Sequence, residues 1–152
     1  MRVDEASRLI AATPATIFGA LSDRASLEAW LPPDGMRGEL IEFDFRQDGR
    51  YRMRLHYTTP THTTGKTSDD FDDVEVRFAR LVPERLVEQL VTFDSPKPEL
   101  AGVMRMSWIL EPAKTGTRVT VRCVDVPAGV DPEDHAVGLA SSLANLARFT
   151  ER

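Results

Sequence analysis

The sequence predicts an α+β domain in which a curved antiparallel sheet of seven strands grips a long C-terminal helix, in the order β-α-α-β6-α. Three observations carry this. Two short helical segments follow the first strand, between Thr13 and Trp30. The stretch from Ile41 to Val124 is mostly alternating, strand-like sequence. Residues 131–151, DPEDHAVGLASSLANLARFTE, then read as one amphipathic helix. A helix that follows consecutive strands buries its apolar stripe by lying across their sheet, which leaves room for a cavity between the two.

Each element has its own signal. Residues 3–12 form the first strand. Thr13 is an N-cap and Pro14 takes the first helical position, where its missing N–H costs nothing. Ile17, Phe18 and Leu21 give this helix an apolar face. Ser22 or Asp23 caps a second short helix carrying Leu27, Trp30 and Leu31, and Pro32-Pro33 ends it. Ile41, Phe43 and Phe45 then alternate with Glu42, Asp44 and Arg46. After the Asp48-Gly49 turn, Tyr51, Met53, Leu55 and Tyr57 alternate with Arg52, Arg54 and His56. Period-two patterning of this kind belongs to half-buried antiparallel strands, and Asp-Gly is a hairpin signal. Residues 58–73, TTPTHTTGKTSDDFDD, read as a long polar connection. Strands resume at Val74, Val76 and Phe78, in LVEQLVTF after the Pro83-Glu84 turn, in VMRMSWIL, and in TRVTVRCV after Thr115-Gly116. The last helix starts on Asp131 as N-cap and Pro132, with Glu133 and Asp134 suiting its positive end. Leu139, Leu143, Leu146 and Phe149 or Thr150 form the face that meets the sheet.

A chain of 152 residues, 41% hydrophobic and 28% charged, is read as one globular domain spanning 1–152. Its net charge of −5 argues against nucleic acid as a partner. The single Cys123 allows no internal disulfide and fits a reducing compartment. No apolar run approaches a membrane span, and MRVDEASR carries no signal-peptide apolar region, so a cytoplasmic domain with no membrane partner is expected.

Candidate site residues come from the inward faces. Trp30, Tyr51, Met53, Tyr57, Phe78, Met104, Met106 and Trp108 point to the interior, either as a filled core or as a pocket for an apolar or aromatic ligand. If the pocket is functional, its wall is Trp30, Met53, Tyr57, Phe78, Met106, Trp108, Leu139 and Leu143, where faces of period 2 and 3.6 converge. Asp69, Asp70, Asp72 and Asp73 flank Phe71 in SDDFDD. This run lacks the glycine and terminal glutamate of a calcium loop and reads as a solvated hairpin tip rather than a metal site. Of the histidines, His56 faces outward, His62 lies in the Thr-rich loop, and His135, in the first turn of the last helix, reads as a capping or surface residue. No nucleophile, base and orienting acid line up, so no catalytic residue is assigned. Cys123 reads as a small buried hydrophobe, and Arg105 with Glu88 as a cross-strand pair on the solvated face. The absence of a phosphate loop, zinc spacing or dinucleotide fingerprint leaves no cofactor to expect.

These residues resemble the START-like superfamily with its helix-grip fold, most closely the family named for the activator of heat-shock protein 90 ATPase. The resemblance rests on Arg8-Leu9-Ile10 leading to Pro14, Ala20-Leu21-Ser22-Asp23, Trp30, Pro83-Glu84-Arg85-Leu86, Gly116 to Thr120, and His135 with Gly138 before Leu143 and Leu146. It spans about the whole chain. Leu31 and Leu139 depart from the pattern, standing where the family often has Trp and an aromatic. The resemblance implies a sheet-and-helix cavity and, because such relatives often pair, a homodimer. The leading expectation is therefore a small-molecule-binding domain without catalytic machinery. An aromatase/cyclase-like enzyme and a co-chaperone-like protein-binding module are the alternatives.

Overall fold

In a computed structural model describing residues 2–33, 35–57, 71–93 and 97–151, with the backbone alone for Tyr57, Phe71 and Asp72, the expected order is present. The elements are β1 (Val3–Ile10), α1 (Pro14–Ser22), α2 (Arg24–Trp30), β2 (Met36–Phe43), β3 (Arg50–Tyr57), β4 (Phe71–Val82), β5 (Leu86–Phe93), β6 (Met104–Ala113), β7 (Gly116–Val124) and α3 (Pro132–Thr150). Every neighbouring pair is antiparallel, and the strands lie in the order β1-β7-β6-β5-β4-β3-β2. No helix among the described residues is long and apolar enough to cross a membrane.

The caps work as their residue types require. Thr13 Oγ1 accepts from Thr16 N at 3.1 Å, Asp23 from Ser26 N at 3.0 Å and Asp131 from Asp134 N at 3.0 Å. Of the two candidates for the α2 cap, Asp23 holds the position. Gly116 permits a contact nothing larger allows, since a Cβ there would stand 2.0 Å from Ile10 O. The chain turns at Ile10, with Ala12 N donating to Ile10 O at 2.9 Å, so β1 stops two residues before the predicted end at 12.

Two larger differences have physical causes. β2 starts at Met36 and carries a bulge between Ile41 and Phe43, with Glu42 at φ 62°. A bulge inserts one residue and changes which face the next side chain takes. Leu40, opposite Met53, is therefore the buried residue, and Ile41 falls opposite Arg52 on the outer face. Phe45 lies beyond the strand, but its ring still meets Phe78 with centroids 4.9 Å apart. β4 starts at Phe71, so Asp73 is not in a loop: it lies in the ladder opposite Arg54. His62, Asp69 and Asp70 fall outside the described residues.

α3 runs along β1. At its start His135 meets Asp4, and at its end Glu151 Oε2 accepts from Ala11 N at 2.8 Å. Leu139, Leu143, Leu146 and Ala147 turn into a core shared with α1, α2 and the inner face of the sheet.

Candidate functional site

The inner face of the sheet divides into a sealed end and a more open one. At the sealed end Phe78, Val87, Trp108, Leu110, Val119 and Val121 are buried. A side chain lining a space that water can enter exposes area to it. Trp30, Met53, Phe78, Trp108, Leu139 and Leu143 expose at most 3%, so these six expected wall residues pack closely in one cluster. Trp30 and Trp108 meet edge to face with centroids 5.6 Å apart, and Trp30 Nε1 donates to Ala20 O at 2.9 Å. The indole is thereby held by packing and by its polar edge.

Toward the start of β4 and the end of β5 the inward residues lose this cover, and Met106, between the buried Met104 and Trp108 on β6, is also only half-buried. Leu55, Val74, Phe93 and Met106 are all half-buried although the alternation of their strands points them inward. Val74 stands opposite Met53 on one side and Phe93 on the other, which makes a continuous apolar strip with Leu55 two residues along β3. Met106 stands opposite Gln89. Tyr57, the eighth expected wall residue, ends β3 opposite Met36, but its side chain lies outside the described residues.

Gln89 was not foreseen. It shares the inner face with Val87 and Val91, and its side chain hydrogen-bonds with the Tyr51 phenol; both residues are buried. Burial pushes the Tyr51 phenol up, only partly offset by Gln89, so it stays protonated. The signal was available: alternation in LVEQLVTF places a glutamine on the inward face. Cys123 is buried as expected, and burial pushes its thiol up to about 12, with the nearby Asp4 charge adding to the effect.

His135 differs from the surface position expected of it. It is half-buried, with Nδ1 2.6 Å from Asp4 Oδ2. Asp4 also accepts from Arg2 Nη2 at 2.8 Å and Nε at 3.3 Å. Arg2 Nη1 reaches on to Val130 O at 2.6 Å. Sequence reading missed this node because its members lie at opposite ends of the chain.

The outer face carries charge. Arg105 Nη1 and Glu88 Oε1 are 2.7 Å apart, as expected of a cross-strand pair. Arg54 grips Asp73 through Nε at 2.9 Å and Nη2 at 3.0 Å, and His56 Nε2 lies 3.5 Å from Glu39 Oε1. Beside the Glu42 bulge is an open depression of about 60 Å³ lined by Glu42, Arg50, Tyr51, Arg52 and Glu75, enough for water-sized groups only.

A seven-stranded antiparallel sheet holding a C-terminal helix, with two short helices between its first two strands, is the helix-grip arrangement of the START-like superfamily. Residues 11–151 match the family described as "Activator of Hsp90 ATPase homolog 1-like protein", and the chain belongs to that family. A crystal structure of a Chromobacterium violaceum protein shares 26% identity over 99% of this chain and 97% of its own, with a TM-score of 0.87. A solution structure of a protein from Arthrobacter aurescens has a TM-score of 0.81 at 15% identity, covering 98% of this chain and 86% of that one. The AHSA1-like protein from Aeromonas hydrophila has a TM-score of 0.76 at 14% identity, covering 99% and 92%. At those two lower identities the likeness concerns the fold alone. No curated protein matches the chain.

Proposed function

We propose that this domain binds a small apolar or aromatic molecule between the sheet and α3. The ligand enters where Leu55, Val74, Phe93 and Met106 face inward without full cover. The observation that carries the reading is the contrast along one face: Leu55, Val74 and Phe93 at one end, and Met106 further in, are half-buried while the residues at the other end are sealed. Small-molecule sites are concave and mostly apolar, with a few placed polar groups. Gln89, beside Met106, supplies a neutral polar group at the inner limit of the entrance. Met53, Phe78 and Trp108 on the sheet, Trp30 from α2, and Leu139 and Leu143 from α3 form the closely packed wall behind that entrance. The unbranched Met53 and Met106 side chains are the ones able to move aside for an occupant.

The reading needs no catalytic step. Cys123 is held as a thiol, which is a poor nucleophile. His135 is already engaged by Asp4. An aromatase/cyclase-like activity requires ionisable groups converging on the occupant, and nothing specific among the described residues favours it. The co-chaperone reading draws only on the family name.

The test is fluorescence titration with a neutral, environment-sensitive naphthalene dye, on the parent and on Met106→Trp. The expected result is saturable binding to the parent, lost or weakened at least tenfold by the indole at the entrance while the melting temperature holds. No saturable binding to the parent removes the reading.

A further inference from the structure

One row of facing residues crosses the middle of the inner face: Phe78, Gln89, Met106, Cys123 and Asp4, each opposite the next. Phe78 and Cys123 expose nothing. Between them Gln89 exposes 5% and Met106 is half-buried. The cover of the row therefore opens at Met106, and Gln89 is the polar side chain beside that opening. Its amide hydrogen-bonds with the Tyr51 phenol. A glutamine amide offers two N–H donors and an acceptor oxygen, so one phenol satisfies it only in part. Leucine and phenylalanine would fill these two positions without burying any polar group. Keeping a glutamine and a tyrosine there costs desolvation that packing alone does not explain.

The same face offers nothing to balance a negative charge. Alternation sets Arg52 and Arg54 of β3, Arg77 of β4, Arg105 of β6, and Arg118 and Arg122 of β7 on the outer face. Among the described residues, the inward positions of β3 to β7 carry no lysine, arginine or histidine. Further along the row, beyond the sealed Cys123, Asp4 already engages Arg2 and His135. A carboxylate seated at Met106 would be buried without a counter-charge. A neutral hydroxyl there would exchange water for the Gln89 amide at far smaller cost.

We propose that the site selects uncharged molecules bearing a hydrogen-bonding group, an aromatic alcohol being the simplest, and rejects the corresponding carboxylates. Gln89 is the residue that determines this specificity. The inference rests on the ligand-binding reading above and adds to it the polarity and charge of the occupant.

The test is competition against the neutral naphthalene dye by naphthylmethanol, ethylnaphthalene and naphthoate, all substituted at the same ring position. Hydroxyl and methyl are close in size, so the first two compounds differ chiefly in hydrogen bonding, and the third differs in charge. The parent should bind naphthylmethanol at least as tightly as ethylnaphthalene, although water solvates the alcohol better. It should bind naphthoate about a hundredfold more weakly than the alcohol. The Tyr51→Phe/Gln89→Leu double variant removes the amide without stranding the phenol. In it the affinity for naphthylmethanol relative to ethylnaphthalene should fall about tenfold. A parent that prefers ethylnaphthalene, or takes naphthoate as readily as the alcohol, overturns the proposal while leaving ligand binding in place. So does an unchanged ratio in the double variant. A parent that binds no dye removes ligand binding and this selection with it. Should the double variant fail to fold, the parent's ranking of the three compounds decides.

Discussion

His135 Nδ1 lies 2.6 Å from Asp4 Oδ2, joining the first turn of α3 to the first strand across nearly the whole length of the chain. Arg2 binds the same carboxylate and the Val130 carbonyl, so the approach to the helix and its first turn share one anchor. The start of α3 is thus fixed to β1 by a polar node rather than by apolar packing alone.

Asp4 gives this node a pH dependence. The hydrogen bond from Arg2, with a smaller one from His135, holds its carboxyl below the ordinary range despite the opposing effect of burial. A carboxyl depressed in the folded state contributes stability that is present above its unfolded value of roughly pH 4. That contribution disappears as pH falls through the folded value. Asp4→Asn should therefore cost about 1–2 kcal/mol at pH 7, the lower part of the range for charged hydrogen bonds because the site is partly solvated. Its stability should also decline less steeply than the parent's below pH 4. Urea unfolding at pH 7 and at pH 3 measures both. Equal acid sensitivity of the two proteins would remove Asp4 from the account.

The buried Tyr51–Gln89 pair predicts non-additivity. Tyr51→Phe strands the Gln89 amide, and Gln89→Leu strands the phenol; each should cost about 1–3 kcal/mol. In the double variant no polar group is left unpaired, so it should be more stable than the sum of the single losses implies. Chemical denaturation of the four proteins completes the cycle. Strict additivity would mean the two side chains do not depend on each other.

Cys123 reports on opening of the core. With its thiol pushed up to about 12 and no exposed area, it should resist a thiol-reactive probe at pH 8 in the folded protein. It should label at the rate of a free cysteine in denaturant. Rapid labelling without denaturant would show that the β6–β7 region of the inner face opens readily.

How far the sequence could be read depended on how local each cause was. β3, β5 and β7 follow from their own alternation, and α3 begins at Asp131-Pro132 as residue chemistry requires. The bulge at Glu42 was hidden because Ile41, Phe43 and Phe45 keep a regular alternation of their own; only pairing with β3 selects Leu40. Asp73 looked like part of an acidic loop, since its ladder partner Arg54 becomes its neighbour only after the hairpin closes. Asp4 and His135 share no sequence window at all. Gln89 was legible, as the one polar residue on an inward-facing stripe.

The central claim is that an apolar molecule occupies the inner face near Met106, and methyl-resolved NMR tests it most directly. On titration with the neutral naphthalene dye, the methyl signals of Leu55, Val74 and Met106 should shift together and saturate. Those of Val119 and Val121, sealed at the far end, should stay in place. Shifts that never saturate, or that appear only at Leu86, Leu90 and Ile109 on the outer face, would contradict it.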